Sequence, residues 1–171
     1  MSAVLKLKDL RANEVTNLLE AYTTAGVGIT FECMLMYVPN FNGSHQPSGN
    51  KDLLDYTGII RLKGNEFVFE SCLSFPKETM EKVVKKIFGL KDGMIPESHI
   101  DGCLGELTNT ISGCLKAQLA KVGYECQLDL PELYKGKGAI VLQSTEPIHR
   151  FDFDIEGSPF SVFLGIQHTA K

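Results

Sequence analysis

The chain has 171 residues, 17 Lys plus Arg against 21 Asp plus Glu, and a formal net charge of -4. This size fits one domain, expected to span residues 1–171, and a mildly acidic balance without a basic run argues against general nucleic-acid binding. No stretch approaches the roughly 20 apolar residues of a membrane span, and residues 1–10 lack the apolar core and small-residue cleavage site of a signal peptide, so the expected location is cytoplasmic.

In chain order, Val15, Leu18, Leu19 and Tyr22 fall at helical spacing over residues 10–25, and Gly26 and Gly28 are expected to stop that helix. Residues 29–38 are rich in β-formers and end at Pro39, which predicts a strand. Residues 40–52 are polar and contain Gly43, Pro47 and Gly49, which predicts a loop. Residues 56–62 and 66–75 flank Lys63-Gly64-Asn65 and read as a hairpin. Pro76 suits a first helical turn with Ser74 ahead as a cap, and Met80, Val83, Val84, Ile87 and Phe88 continue a helix that Gly89 ends. The lysines of and just after that helix (Lys77, Lys82, Lys85, Lys86, Lys91) read as a solvated face. A long helix follows over residues 98–122. Strands are expected at residues 124–130, 139–144, 149–155 and 160–167, with Gly136-Lys137-Gly138 as a turn rather than a phosphate cradle, because no helix follows it.

The order helix, three strands, helix, helix and strands points to a degenerate internal repeat. Glu14-Val15-Thr16-Asn17 matches Glu106-Leu107-Thr108-Asn109 at an offset of about 92 positions, and Pro39 falls on Pro131 at the same offset. One residue further out, Glu32-Cys33 falls on Glu125-Cys126, Gly64 on Gly157 and Phe67 on Phe160. The fold class is therefore α+β, with an antiparallel sheet packed against helices.

Glu106 and Asn109 stand one helical turn apart, about 4.5 Å along the axis, so both side chains can address one target. At 100° per residue Leu104, Leu107, Ile111, Leu115, Leu119 and Val122 gather on one side of the helix, while Glu106, Asn109 and Gly113 gather on the other. Packing does not require the pair. An amide does not titrate near neutral pH, so Asn109 cannot be a general base, but it can fix a water in line with an electrophile. A carboxylate such as Glu106 can pair with a cation on a partner and so position its neighbour. In the first copy Leu18 lies within about 40° of Glu14 and Ala21 replaces the glycine found at position 113, which marks that helix as a packing element. The five cysteines are scattered without a Cys-x-x-Cys pair, and the four histidines are isolated. The cysteines read as reduced and buried, and no metal site is expected.

The run Glu106-x-x-Asn109-x-x-x-Gly113-x-x-Lys116 resembles the signature helix of the CheC/CheX family of chemotaxis phosphatases. So do Asp55-Tyr56-Thr57-Gly58-Ile59-Ile60, Leu73-Ser74-Phe75-Pro76 and Leu119-Ala120-Lys121-Val122-Gly123-Tyr124. The likeness extends from about residue 55 to the C-terminus and is closer to CheX than to CheC. It implies a phosphatase acting on the phosphoaspartate of a CheY-like response regulator in two-component signalling. Asn109 would orient the attacking water and Glu106 would pair with a lysine of the regulator. The resemblance further implies no cofactor of the chain's own, Mg2+ supplied by the partner regulator, and a homodimer. One departure is Gly102, four residues before Glu106, where the family tends to carry Asp or Ser. The alternative is a non-catalytic binding module that docks a response regulator or another signalling protein. A small-molecule enzyme built on a cysteine is disfavoured, because no histidine stands in a recognisable arrangement with one.

Overall fold

The computed structural model describes residues 10–49, 52–91, 93–137 and 142–169. Its elements are α1 (Ala12–Leu35), β1 (Asn40–Ser48), β2 (Tyr56–Lys63), β3 (Phe67–Phe75), α2 (Lys77–Phe88), α3 (Glu97–Lys121), β4 (Gln127–Leu128), β5 (Glu132–Lys135), β6 (Ile148–Ile155) and β7 (Ser158–His168). The strands form one antiparallel sheet in the order β1-β6-β7-β3-β2-β4, and β5 also pairs with β2. The fold is α+β as expected.

The repeat is written into this topology. The two units are α1-β1-β2-β3 and α3 followed by β4, β5, β6 and β7. Their last strands, β3 and β7, pair at the sheet centre, while β1 adds to β6 and the β4/β5 segment adds to β2. Exchanging the units therefore maps the strand order onto itself, with each unit's first strand donated to the other.

The helices share one face of the sheet. Alternate residues Phe69, Leu73 and Phe75 of β3, Phe151, Phe153 and Ile155 of β6, and Phe160, Val162, Leu164 and Ile166 of β7 meet the apolar sides of α1, α2 and α3. Phe160 is the hub, with ring centroids 5.1 Å from both Phe31 and Phe75 and 5.4 Å from Phe153. On the opposite face Leu53, Ile59, Cys72, Leu142, Ile148 and Phe163 form a smaller cluster.

The hairpin β2–β3, helix α2, helix α3 and strands β6 and β7 stand where the sequence places them. Gly89 ends α2 in the left-handed conformation, φ 61°. Three expectations are corrected. Gly26 and Gly28 do not stop α1, which runs on to Leu35 through the predicted strand 29–38. A Cβ on Gly26 would stand 3.2 Å from Cys114 Cβ, so the glycine marks where α1 crosses α3 rather than where it ends. The predicted loop 40–52 holds β1, an edge strand with two register shifts whose polar side chains bond across to β6: Asn42 donates to Asp154 at 2.9 Å and His45 pairs with Asp152 at 2.9 Å. Pro39 accordingly opens a strand.

The predicted strand 124–130 shrinks to Gln127–Leu128, and β5 follows unforeseen. The predicted strand 139–144 and the turn at 136–138 lie partly outside the described residues. Where it is described, the segment before β6 uses Ser144 and Thr145 in place of a ladder, the Ile166 N–H donating to Ser144 Oγ at 2.9 Å and the Thr145 N–H to the Ile166 carbonyl at 2.8 Å. Among the described residues no helix is long and apolar enough to cross a membrane.

Candidate functional site

Helix α3 is fixed to the sheet by its apolar stripe and by two polar contacts. Leu104, Leu107, Ile111, Leu115 and Leu119 are buried, as their spacing predicts. Thr108 and Ser112, both buried, interrupt this stripe. Thr108 Oγ1 donates to the Leu104 carbonyl at 2.6 Å and sits directly over Gly58 of β2, where a Cβ would come within 2.1 Å of the hydroxyl. Ser112 Oγ bonds Ser71 Oγ of β3 at 3.0 Å. These contacts set both the height and the rotation of α3 over the strands.

With that rotation fixed, Glu106 and Asn109 project to solvent on the far side. Thr110 Oγ1 donates to Glu106 Oε1 at 3.4 Å, and the Asn109 amide makes no hydrogen bond to the described residues. Gly102 and Gly113 lie along the same face, and a Cβ at either would meet nothing within 4 Å. The structure thus brings Glu106 and Asn109 together on an open surface, with an exposed glycine on one side and a half-buried one on the other.

The corresponding pair on α1 is also exposed, but it is differently employed. Glu14 stands in the first turn, and its Oε2 accepts the Arg11 N–H at 2.6 Å, which caps the helix. That carboxylate serves its own helix end.

The other motif segments build the support for α3. Asp55 Oδ2 accepts the Lys77 N–H at 2.9 Å and caps α2, the role the sequence gives to Ser74. Ser74 instead accepts the Leu54 N–H at 2.8 Å and shares a 2.8 Å bond with Thr57. Tyr124, after the end of α3, donates its hydroxyl to the Phe67 carbonyl and packs over Gly64, where a Cβ would stand 2.6 Å from the phenolic oxygen. Sequence reasoning missed Thr108, Ser112 and Ser71 as positioning residues. The available signal was two hydroxyls at i and i+4 inside an apolar stripe.

All five cysteines are free. Burial pushes the Cys103 thiol up to about 12 and raises Cys72 and Cys126 as well, so these three stay protonated and weakly nucleophilic at neutral pH. Among the described residues no group of three or more His, Cys, Asp or Glu is arranged to hold a metal ion.

The fold is shared with solved chemotaxis proteins. CheX from Desulfovibrio desulfuricans superposes with a TM-score of 0.77 at 21% identity, covering 87% of this chain and 99% of that one. A CheC-like superfamily protein from Shewanella sp. PV-4 gives 0.76 at 19% identity, covering 92% and 99%. The CheX of the CheX–CheY–BeF3–Mg2+ complex from Borrelia burgdorferi gives 0.70 at 16% identity, covering 86% and 96%. No curated protein matches the chain in sequence. The family model described as chemotaxis phosphatase CheX matches residues 56–154, more than half of the chain, including β2, β3, the whole of α3 and most of β6. The chain belongs to the CheX family.

Proposed function

We propose that this chain is an aspartyl-phosphate phosphatase that dephosphorylates a CheY-like response regulator. The observation that carries the proposal is the placement of Glu106 and Asn109, one turn apart and exposed, on a helix whose opposite side is anchored to the sheet through Thr108 and Ser112. A surface pair on a rigid support is suited to completing an active site that another protein brings. The Borrelia relative, solved with CheY, BeF3 and Mg2+, supports a regulator as that partner.

In this reading Glu106 pairs with a lysine of the regulator and sets the depth of docking. The Asn109 carboxamide accepts a hydrogen bond from a water and holds its oxygen in line with phosphorus. Attack by that water forms the new P–O bond as the bond to the aspartyl oxygen breaks. The products are inorganic phosphate and the free carboxylate. The magnesium belongs to the regulator and counters charge on the phosphoryl oxygens. Activity resides in a homodimer in the cytoplasm.

The test is the decay of a phosphorylated regulator from the same genome with substoichiometric amounts of this chain. Accelerated decay is expected, falling by on the order of a hundredfold in Asn109→Ala, the scale of losing one positioned polar group at a reacting centre. Its urea midpoint should not fall, because the side chain is exposed and Ala is the better helix former. Full activity in Asn109→Ala overturns the assigned role. Gly102 favours a second reading, a docking module without turnover, since the family's usual carboxylate or hydroxyl is missing there. Saturable binding of the regulator with an unchanged phosphate lifetime would select it.

A further inference from the structure

Helices α1 and α3 lie side by side and antiparallel over the sheet. Val15, near the start of α1, and Tyr124, just past the end of α3, both stand at Phe67 and Phe69. At the opposite end of the sheet the Tyr37 hydroxyl, past the end of α1, accepts the Glu156 N–H at 3.3 Å, and Glu97 and Ile100 at the start of α3 lie near Tyr56. The helices meet where a Cβ on Gly26 would stand 3.2 Å from Cys114 Cβ and 3.6 Å from the Ile111 carbonyl. At 1.5 Å rise per residue, Ile29 is therefore level with Ile111, between Asn109 and Gly113, and Cys33 is level with Leu107, beside Glu106. Taking Gly26 as the direction of α3, Ile29 and Cys33 fall within about 60° of it, on the shoulder turned away from the core. Ile29 is 53% exposed and Cys33 is exposed as well. On α3 the facing shoulder is Thr110, with Glu106, Asn109 and Gly113 beyond it. Met36, 92% exposed, and Val38, which folds back beside Gly28, extend the apolar strip. From residue 21 to residue 38 the only charged side chain is Glu32.

We propose that Ile29, flanked by Cys33 and Met36, is the apolar anchor for the CheY-like regulator, receiving an apolar side chain on the rim of its phosphorylation site. The inference rests on the function proposed above and assigns the binding half of that same site. An exposed apolar strip marks an interaction surface. Its position decides the partner. A standard interface covers roughly 800 Å² on each side, a disc about 16 Å in radius, whereas neighbouring helices lie only about 8–10 Å apart axis to axis. A regulator seated on Asn109 therefore covers Ile29 as well. A second copy of this chain on the strip would crowd the side from which the regulator must reach Asn109. The two helices divide the work: α3 offers polar groups to the reacting centre, and α1 offers desolvated contact area beside it, as the buried anchors of an interface do.

The test measures KM and kcat on the phosphorylated regulator from the same genome, and Kd for that regulator with Mg2+ and BeF3 in place of the phosphoryl group. Ile29→Gln should raise KM and Kd about fivefold with kcat unchanged, the scale of withdrawing a half-exposed isoleucine from an apolar contact. Ile29→Leu, which keeps the contact apolar, should hold both at wild-type values. Unchanged KM and Kd in Ile29→Gln, with turnover still lost in Asn109→Ala, overturns the anchor and leaves the phosphatase reading standing. Weaker binding in Ile29→Gln of a regulator that the wild type does not dephosphorylate supports the anchor while the phosphatase reading fails. Sedimentation of the same variants reads the remaining occupant: a wild-type dimer that falls to monomers in Ile29→Gln places a second copy on this face and overturns the inference. A wild type that neither binds the regulator nor shortens its phosphate lifetime overturns both.

Discussion

At residue scale, α3 carries glycines where a helix interior gains nothing from them. Gly102 is exposed, and a Cβ there would meet no atom within 4 Å, so neither packing nor backbone conformation accounts for it. Gly102→Ala should therefore stabilise the chain by about 1 kcal/mol, the propensity difference between the two residues, and raise Tm by roughly 2–4 °C in a domain of this size. Gly102→Asp has the same room. It places a carboxylate one turn from Glu106 and, on the proposed function, should raise the rate of regulator dephosphorylation several-fold, while Gly102→Ala leaves that rate unchanged. Calorimetry and phosphate-decay assays on both variants separate the two effects. Equal rates in the two variants would mean that position 102 does not touch the reaction.

At element scale, β2 and α3 meet so closely that one atom decides the fit. A Cβ at Gly58 would overlap Thr108 Oγ1 at 2.1 Å and approach its Cβ and Cγ2 at 3.0 and 3.2 Å, so α3 would have to lift. Gly58→Ala should cost about 3 kcal/mol, at the upper end of overpacking, and should lower the proposed phosphatase activity by displacing Asn109 from the docked position proposed for it. Adding Thr108→Ala removes the hydroxyl and the methyl but leaves the 3.0 Å contact, so urea denaturation should show partial recovery. This contact was not legible in the sequence, whereas α3 itself was, because its leucines keep helical period for about four turns. The same reasoning explains where local patterns misled. Residues 29–38 carry Ile29, Thr30, Phe31 and Val38, all β-formers, yet Phe31 is fully buried against Phe160 as part of a helix, tertiary packing overriding propensity. Strand β1 was invisible for the opposite reason. Asn40, Asn42 and His45 bond to Asp154 and Asp152 on β6 across 105 or more residues, a pairing that no local window contains.

At the scale of the whole molecule, the repeat read from Glu14/Asn17 and Glu106/Asn109 reappears as a sheet that maps onto itself when its halves are exchanged. The exchange of first strands was not legible, since a repeat in sequence says nothing about which unit its strands join. The pseudo-symmetry also leaves the sheet with unlike faces. The side away from the helices buries Glu70 completely, its Oε1 accepting the Gln143 N–H at 2.6 Å and its Oε2 lying 3.4 Å from Arg61 Nε. Burial raises this carboxyl above its ordinary 4.5 despite both contacts. Between 4.5 and the folded value the unfolded chain has released a proton that the folded chain still holds, so stability from this group is complete below 4.5 and is lost as pH rises through the folded value. His149 acts with the opposite sign: its folded value is depressed, so its contribution is present above 6.5 and is lost as pH falls through the folded value. The two slopes oppose each other in the wild type, and Glu70→Gln leaves only the histidine's. Urea midpoints taken from pH 4.5 to 8 should show the wild type losing ground against Glu70→Gln as pH rises. A difference that is flat with pH would mean that Glu70 is ionised in the folded state as readily as in the unfolded one, with Arg61 fully offsetting its burial.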